Sequence, residues 1–193
     1  MTLYTVRFHG RGGQLLEEAS RALASAFMAE NWFVQLSPDA ITWRDRVGLP
    51  RTMFLKIGKT EFTSGSRVLA PHCVVIFDEN LLRVADVYAG IRKEGVVVIN
   101  STNVGSALNI ELDVARVVSV DADEIAARVY GSETFPKVGP AMLGAFVKGF
   151  GKLQLASVKD AVEVHFPRGT KEHITAVEIA YEEACARTLS NRL

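Results

Sequence analysis

The sequence predicts an α/β fold: three layers around a mostly parallel sheet, Rossmann-like or flavodoxin-like, with an edge hairpin and a helical C-terminal third. Three observations predict it. The chain opens with a strand, a glycine-rich turn and an amphipathic helix. Three apolar runs, 73–77, 95–99 and 114–120, are each followed by a polar residue: Asp78, Asn100 and Asp121. From residue 141 onward, apolar residues recur at helical spacing. A strand that is apolar on both faces is one covered by other layers on each side, as in parallel sheets.

Leu3 to Phe8 is rich in β-branched and aromatic residues, as a strand should be. Gly10-Arg11-Gly12-Gly13 then makes a turn, and a helix begins near Gln14. Leu16, Ala19, Leu23, Ala26 and Phe27 share one helical face, with Glu17, Glu18 and Arg21 on the other. Trp32 to Leu36 is a second apolar strand, so the opening reads as one parallel βαβ unit with a right-handed crossover. Ser37 to Pro50 breaks the periodicity and reads as a long surface loop. Thr52–Ile57 and Thr60–Thr63 flank Gly58-Lys59, which predicts an antiparallel hairpin at the sheet edge. One or two short helices fit residues 79–91. Asp121, with Glu124 three residues on, is the N-cap of a helix ending at Gly131. Met142, Leu143, Phe146, Val147 and Phe150 mark the next helix, 156–166 another, and 171–189 the last. On that last helix Ile174, Val177, Tyr181, Ala184, Cys185 and Thr188 share a face.

The 193 residues suit one domain spanning 1–193. Formal net charge is zero, so a general electrostatic affinity for nucleic acid or membrane is not expected. Charge is uneven locally. Arg44, Arg46, Arg51, Lys56, Lys59 and Arg67 face only Asp45 and Glu61 over the same stretch. Two isolated cysteines, Cys73 and Cys185, carry no cluster or zinc spacing and point to a reducing cytoplasm. No apolar run approaches the roughly 20 residues that span a bilayer.

The glycine turn follows a strand and opens a helix, where Rossmann-like sheets bind phosphate. Glycines let the backbone approach, and unpaired N–H groups face the anion. The full G-x-G-x-x-G fingerprint needs a third glycine where this chain has Leu15. Three readings stay open: a tight structural turn, binding of a phosphate-bearing group, or contact with a partner loop. Asp78, Asn100 and Asp121 follow predicted strands, where ligands of open α/β sheets lie and where helix caps also lie. His9 stands just before the turn. His72, His165 and His173 have no metal spacing. No G-x-S-x-G elbow or P-loop is present.

Arg7-Phe8-His9-Gly10-Arg11-Gly12-Gly13-Gln14 resembles the opening of the gamma subunit of the pyruvate and other 2-oxoacid:ferredoxin oxidoreductases. The resemblance continues at Pro71–Asp78, Gly95–Ser101, Val120–Ala126 and Ala141–Ala145, in order and at similar spacing. It departs at Leu15, usually glycine, at Pro140, and in residues 38–48, usually a Gly-Pro-Glu-Arg-Arg-Gly-type loop. The resemblance implies a subunit without clusters of its own in a hetero-oligomer of alpha, beta and ferredoxin-like delta subunits. Reversible oxidative decarboxylation of a 2-oxoacid to an acyl-CoA would pass electrons through that complex to ferredoxin. Thiamine diphosphate, magnesium, iron–sulfur clusters and coenzyme A would belong to the complex, and the isolated chain would be inactive. This subunit would contribute structure and coenzyme A access. The candidate cofactor-binding positions are Gly10, Arg11, Gly12, Gly13, Gln14, Asp78, Asn100 and Ser101, with no catalytic residue and no metal ligand expected. An indolepyruvate-type small subunit and a stand-alone coenzyme A- or nucleotide-binding module are the alternatives.

Overall fold

β1 (Leu3–Arg11) is paired along both sides, and the rest of the sheet grows outward from it. A computed structural model describes residues 2–38, 47–62, 68–102 and 113–188. On one side β1 runs antiparallel to β3 (Pro50–Gly58); on the other it runs parallel to β4 (Cys73–Ile76). The full order is β2-β3-β1-β4-β5-β6-β7, with β2 at Phe33–Pro38, β5 at Val96–Asn100, β6 at Arg116–Val120 and β7 at Cys185–Thr188. Among the described residues five strands run one way and β3 and β7 oppose them, so the expected mostly parallel α/β sheet is present.

Five α-helices complete the described residues: α1 (Leu16–Ala29), α2 (Ala122–Tyr130), α3 (Gly139–Phe150), α4 (Leu155–His165) and α5 (Thr170–Glu183). All five contribute to one apolar core against Val6, Phe8, Leu55, Val75, Val98 and Val118 of the sheet. Helix α3 lies deepest; all its residues but Lys148 are buried. The opposite face of β4, β5 and β6 is covered by a thinner third layer. There a 3-10 turn at Glu79–Arg83 and the chain after it place Leu81, Val87 and Tyr88 on Val74, Ile76, Val97 and Ile99. Arg7 fastens that layer to β1, its buried guanidinium donating to the carbonyls of Val87 and Ala89 at 2.9 and 2.7 Å. Burial pushes its pKa down from the ordinary arginine value.

Four local readings change. The opening strand does not stop before the glycines: β1 continues through Gly10 to Arg11, and α1 starts at Leu16. β1 and β2 do run parallel, but β3 is inserted between them and bonds to both. An antiparallel pair does form the sheet edge, between β2 and β3, while Thr60–Phe62 is not a strand and Thr63 lies outside the described residues. The reason is the tight return after Gly58: a Cβ there would lie 2.9 Å from the Phe62 ring and 3.0 Å from the Thr60 carbonyl. Finally, the last helix ends at Glu183. Ala184 leaves helical geometry (φ −56°, ψ 130°), and Cys185–Thr188 pairs antiparallel with β6. The open edge of β6 takes up a segment whose own residues are compatible with a helix.

Candidate functional site

The C-terminal ends of the parallel strands β1, β4, β5 and β6 meet at one edge, and the chain's polar loop residues gather there. Gly10 lies in the sheet because it must stay small. A Cβ would meet Leu16 Cδ1 at 3.0 Å, Phe77 Cβ at 3.1 Å and Gln14 Oε1 at 3.2 Å. The turn proper is Gly12 to Leu15. Gly12 is tied to the residues that lead into β3, its N–H donating to the Leu49 carbonyl (3.0 Å) and its carbonyl accepting from Gly48 N–H (2.9 Å). Gln14 is buried and locks the turn from inside: Oε1 accepts from Arg11 N–H at 2.7 Å, and Nε2 reaches the Phe77 carbonyl at 3.4 Å.

Leu15, at the position of the missing glycine, adopts left-handed backbone (φ 58°, ψ 34°) and caps α1 with no side-chain bond. That conformation favours glycine, because a Cβ crowds the neighbouring carbonyl. Helix α3 closes over this turn. Gly139 N–H donates to the Gln14 carbonyl at 3.0 Å, and a Cβ on Gly139 would fall 2.7 Å from the Leu15 carbonyl oxygen.

Charge at the edge is arranged in two groups. Arg11 Nε pairs with Asp78 Oδ2, and Arg11 Nη1 donates to the Gly48 carbonyl at 3.0 Å. Asp78 Oδ1 accepts from the backbone and side chain of Asn80, both at 2.9 Å, which caps the 3-10 turn. Burial alone would raise the Asp78 carboxyl; the hydrogen bonds from Arg11 and Asn80 outweigh it and hold the pKa below the ordinary value. Asn100 joins two elements. Its Nδ2 donates to the Phe77 carbonyl (3.0 Å) and Asp123 Oδ2 (2.9 Å), and its Oδ1 accepts from Ala122 N–H (2.8 Å). Ser101 is buried beside it, with its N–H on the Val120 carbonyl. Burial, and then the charges of Asp121, Asp78 and Glu79, push the Asp123 carboxyl up despite its bond to Asn100. Asp121 caps α2 as expected, accepting from Glu124 N–H at 2.9 Å.

All eight candidate positions therefore fall at one edge. Asp78 and Asn100 both serve as caps there. His9 lies beside its cross-strand neighbour Thr52, whose hydroxyl is 3.5 Å from Nδ1. The basic stretch does not act as one patch where it is described: Arg51 reaches Glu17, and Lys59 sits 3.7 Å over the Trp32 ring. Arg44, Arg46 and Arg67 lie outside the described residues.

Sequence reasoning missed an apolar rim. Val47, Leu49 and Phe135 are large and exposed, and they surround the turn. A Cβ on Gly13 would lie 3.4 Å from both Phe135 and Val47, and one on Gly48 would lie 3.4 Å from the Phe135 ring. No local periodicity marks these three residues; only the fold brings 47–49 and 135 together. Beyond Leu15 an open cleft of about 810 Å³ continues past Tyr130 and His173, whose hydroxyl and Nδ1 are 2.8 Å apart.

Comparisons with known proteins agree on one family. Residues 5–183 match the family model described as pyruvate ferredoxin/flavodoxin oxidoreductase. The chain is 32% identical over 192 residues to the gamma subunit of NADH-dependent phenylglyoxylate dehydrogenase from Aromatoleum evansii, covering 98% of each chain. It is 32% identical over 181 residues to the common gamma subunit of the pyruvate/ketoisovalerate oxidoreductases of Pyrococcus furiosus, covering 92% of this chain and 95% of that one. The crystal structure of pyruvate oxidoreductase subunit PORC from Thermotoga maritima superposes with a TM-score of 0.80 at 26% identity, covering 96% of this chain and 99% of that one.

Proposed function

Because the chain belongs to the pyruvate ferredoxin/flavodoxin oxidoreductase family, and is a gamma subunit within it, we propose that it is the non-catalytic gamma subunit of a thiamine-dependent 2-oxoacid oxidoreductase. It closes the assembly beside alpha, beta and ferredoxin-like delta subunits in the cytoplasm. The complex converts a 2-oxoacid to an acyl-CoA and hands electrons to ferredoxin. On the partner subunits, thiamine diphosphate with magnesium would supply the decarboxylation chemistry and iron–sulfur clusters the electron transfer.

The observation that carries this reading is the exposed apolar rim of Val47, Leu49 and Phe135 around Gly13, beside the Arg11–Asp78 pair. Apolar residues clustered at the surface mark contact sites. Gly13 and Gly48 let Phe135 and Val47 pack close over the turn, and Arg11, Gln14, Asp78, Asn100 and Ser101 hold the loops that present this rim. The same residues fit the phosphates of coenzyme A poorly. Gly12 N–H and Gln14 N–H already bond to carbonyls, Arg11 is paired with a carboxylate, and Asp121, Asp123 and Glu79 add negative charge. Coenzyme A access is thus governed by how this edge seats on its neighbours rather than by direct phosphate binding at Gly10–Gln14.

Co-expression with the thiamine and cluster subunits tests this. Phe135→Asp and Gly13→Val are each expected to cut co-purification of the partners. Full assembly retained by both variants would sink the interface assignment. A lone chain that oxidises a 2-oxoacid would sink the gamma-subunit reading. Similarity to the phenylglyoxylate enzyme over nearly the whole chain favours a second reading of the substrate, an aryl 2-oxoacid such as indolepyruvate. Assaying the assembly with pyruvate, 2-oxoglutarate, indolepyruvate and phenylglyoxylate separates the two.

A further inference from the structure

A second cleft lies at the other end of the sheet, by the N-terminal ends of β1, β4 and β5. Its volume is about 480 Å³, inside the roughly 300–1,000 Å³ range of small-molecule sites. One wall is aromatic. The Tyr4 ring meets His72 edge-on at 5.5 Å and Phe150 edge-on at 5.6 Å, with Trp32 behind it at 6.1 Å. The rest of the lining is charged: Arg92, Lys93 and Lys152 against Glu94, a lining charge of three minus one, or +2. In a chain whose formal net charge is zero, that is a local concentration of positive field.

The donors differ in how firmly they are held. Arg92 is anchored twice on the chain before β4, its Nε on the Ala70 carbonyl and its N–H on the Pro71 carbonyl, each at 3.1 Å. Among the described residues it has no carboxylate partner, and neither has Lys152, whose ammonium lies 5.7 Å over the Tyr4 ring. Lys93 is different, paired with Asp113 at 3.1 Å on the surface. His72 Nδ1 accepts from Thr5 backbone N–H at 3.1 Å. A backbone N–H can only donate, so Nδ1 is the bare nitrogen and Nε2 carries the proton. Burial, and then the charge of Arg92, lower the His72 pKa. The cleft is thus lined by two cations without a carboxylate partner, by the His72 ring and by an aromatic surface.

We propose that this cleft binds a planar aromatic anion, its carboxylate or phosphate met by Arg92, Lys152 and His72 Nε2–H and its ring packed against Tyr4 and Phe150. The site is separate from the glycine-turn edge and does not depend on the subunit assignment.

The test is an NMR titration of the His72 ring protons in the full-length chain. Phenylacetate and adenosine 5′-monophosphate are the two aromatic anions, one an aryl acid and one a nucleotide. Acetate and inorganic phosphate are the ring-free controls. At least one aromatic anion is expected to saturate the His72 shift, about tenfold more tightly than its ring-free control. Which of the two saturates identifies the source of the ligand. Arg92→Gln with Lys152→Gln is expected to weaken binding about tenfold or more; Lys152→Gln alone gives a smaller loss in the same direction. Both changes are on exposed side chains and leave the core untouched. The proposal is overturned if neither aromatic anion gives a saturable shift, if the ring-free anions bind as tightly, or if the charge variants bind unchanged.

Discussion

Gly144 of α3 lies against the Val177 carbonyl of α5: a Cβ at Gly144 would come within 2.1 Å of that oxygen and 2.8 Å of Tyr181 N. Both obstacles are backbone, so no side chain can swing away. The two helices cross at this glycine, and α3 is buried along nearly its whole length. Gly144→Ala must therefore push α5 outward and disturb the core shared by all five helices. The expected loss is about 1–3 kcal/mol, read from urea unfolding. An unchanged midpoint would mean that the helices cross elsewhere.

Leu15 gives a second test of backbone geometry. At an ordinary helix-adjacent site glycine is less stable than alanine, because it loses more freedom on folding. Leu15 has φ 58°, where the order reverses. Leu15→Ala and Leu15→Gly remove nearly the same packing, so their difference isolates the backbone. Leu15→Gly is expected to be more stable than Leu15→Ala by about 1 kcal/mol, measured by thermal or urea unfolding. The reverse order would place Leu15 in ordinary helical space.

These two positions also show what the sequence could and could not reveal. The strand runs 73–77 and 95–99, the Asp121 cap and the helix at Gly139–Phe150 were legible, because apolar pattern and cap chemistry act locally. The glycine of Gly144 was visible as part of a family motif, but its reason is a helix 33 residues away in the chain. The insertion of β3 between β1 and β2 was not legible either. Pairing partners are chosen by tertiary packing, and Pro50–Gly58 satisfies two strands at once. At the candidate site, the polar residues could be read as strand-end positions, whereas the apolar rim of Val47, Leu49 and Phe135 exists only after folding.

Two carboxylates at the same edge should respond to pH in opposite directions. Asp78 has a lowered pKa in the folded chain, because bonds from Arg11 and Asn80 outweigh its burial. Its contribution is present above the ordinary aspartate value of about 3.9 and is lost as pH falls through the lower folded value. Asp123 has a raised pKa, from burial and from the neighbouring carboxylates. Its protonated form is the one that folding favours, so its contribution is present at acid pH and is lost as pH rises through the folded value. At pH 7, Asp78→Asn is expected to cost about 1–3 kcal/mol, while Asp123→Asn is expected to stabilise. Both differences should shrink toward zero in acid. Melting curves of the two variants from pH 3 to 7 check the signs, and parallel pH profiles would contradict the assignment.

The last prediction separates two structures for residues 184–188. If 171–189 were one helix, Cys185 would share its inner face with Val177 and Ala184 and would be shielded. In the folded chain Cys185 instead begins β7, opposite Ser119, and is exposed. Cys73 is fully buried in β4, and burial pushes its thiol pKa far up, so it is a poor nucleophile at neutral pH. A thiol reagent added to the native protein should therefore modify one of the two cysteines quickly and the other only after denaturant is added. Cys185→Ser should abolish the fast reaction, and Cys73→Ser should leave it intact. Because both thiols are free, no reduction step is needed and the count is direct. If neither thiol reacts in the native chain, or if Cys73→Ser removes the fast phase, the edge strand is wrong and the helix continues.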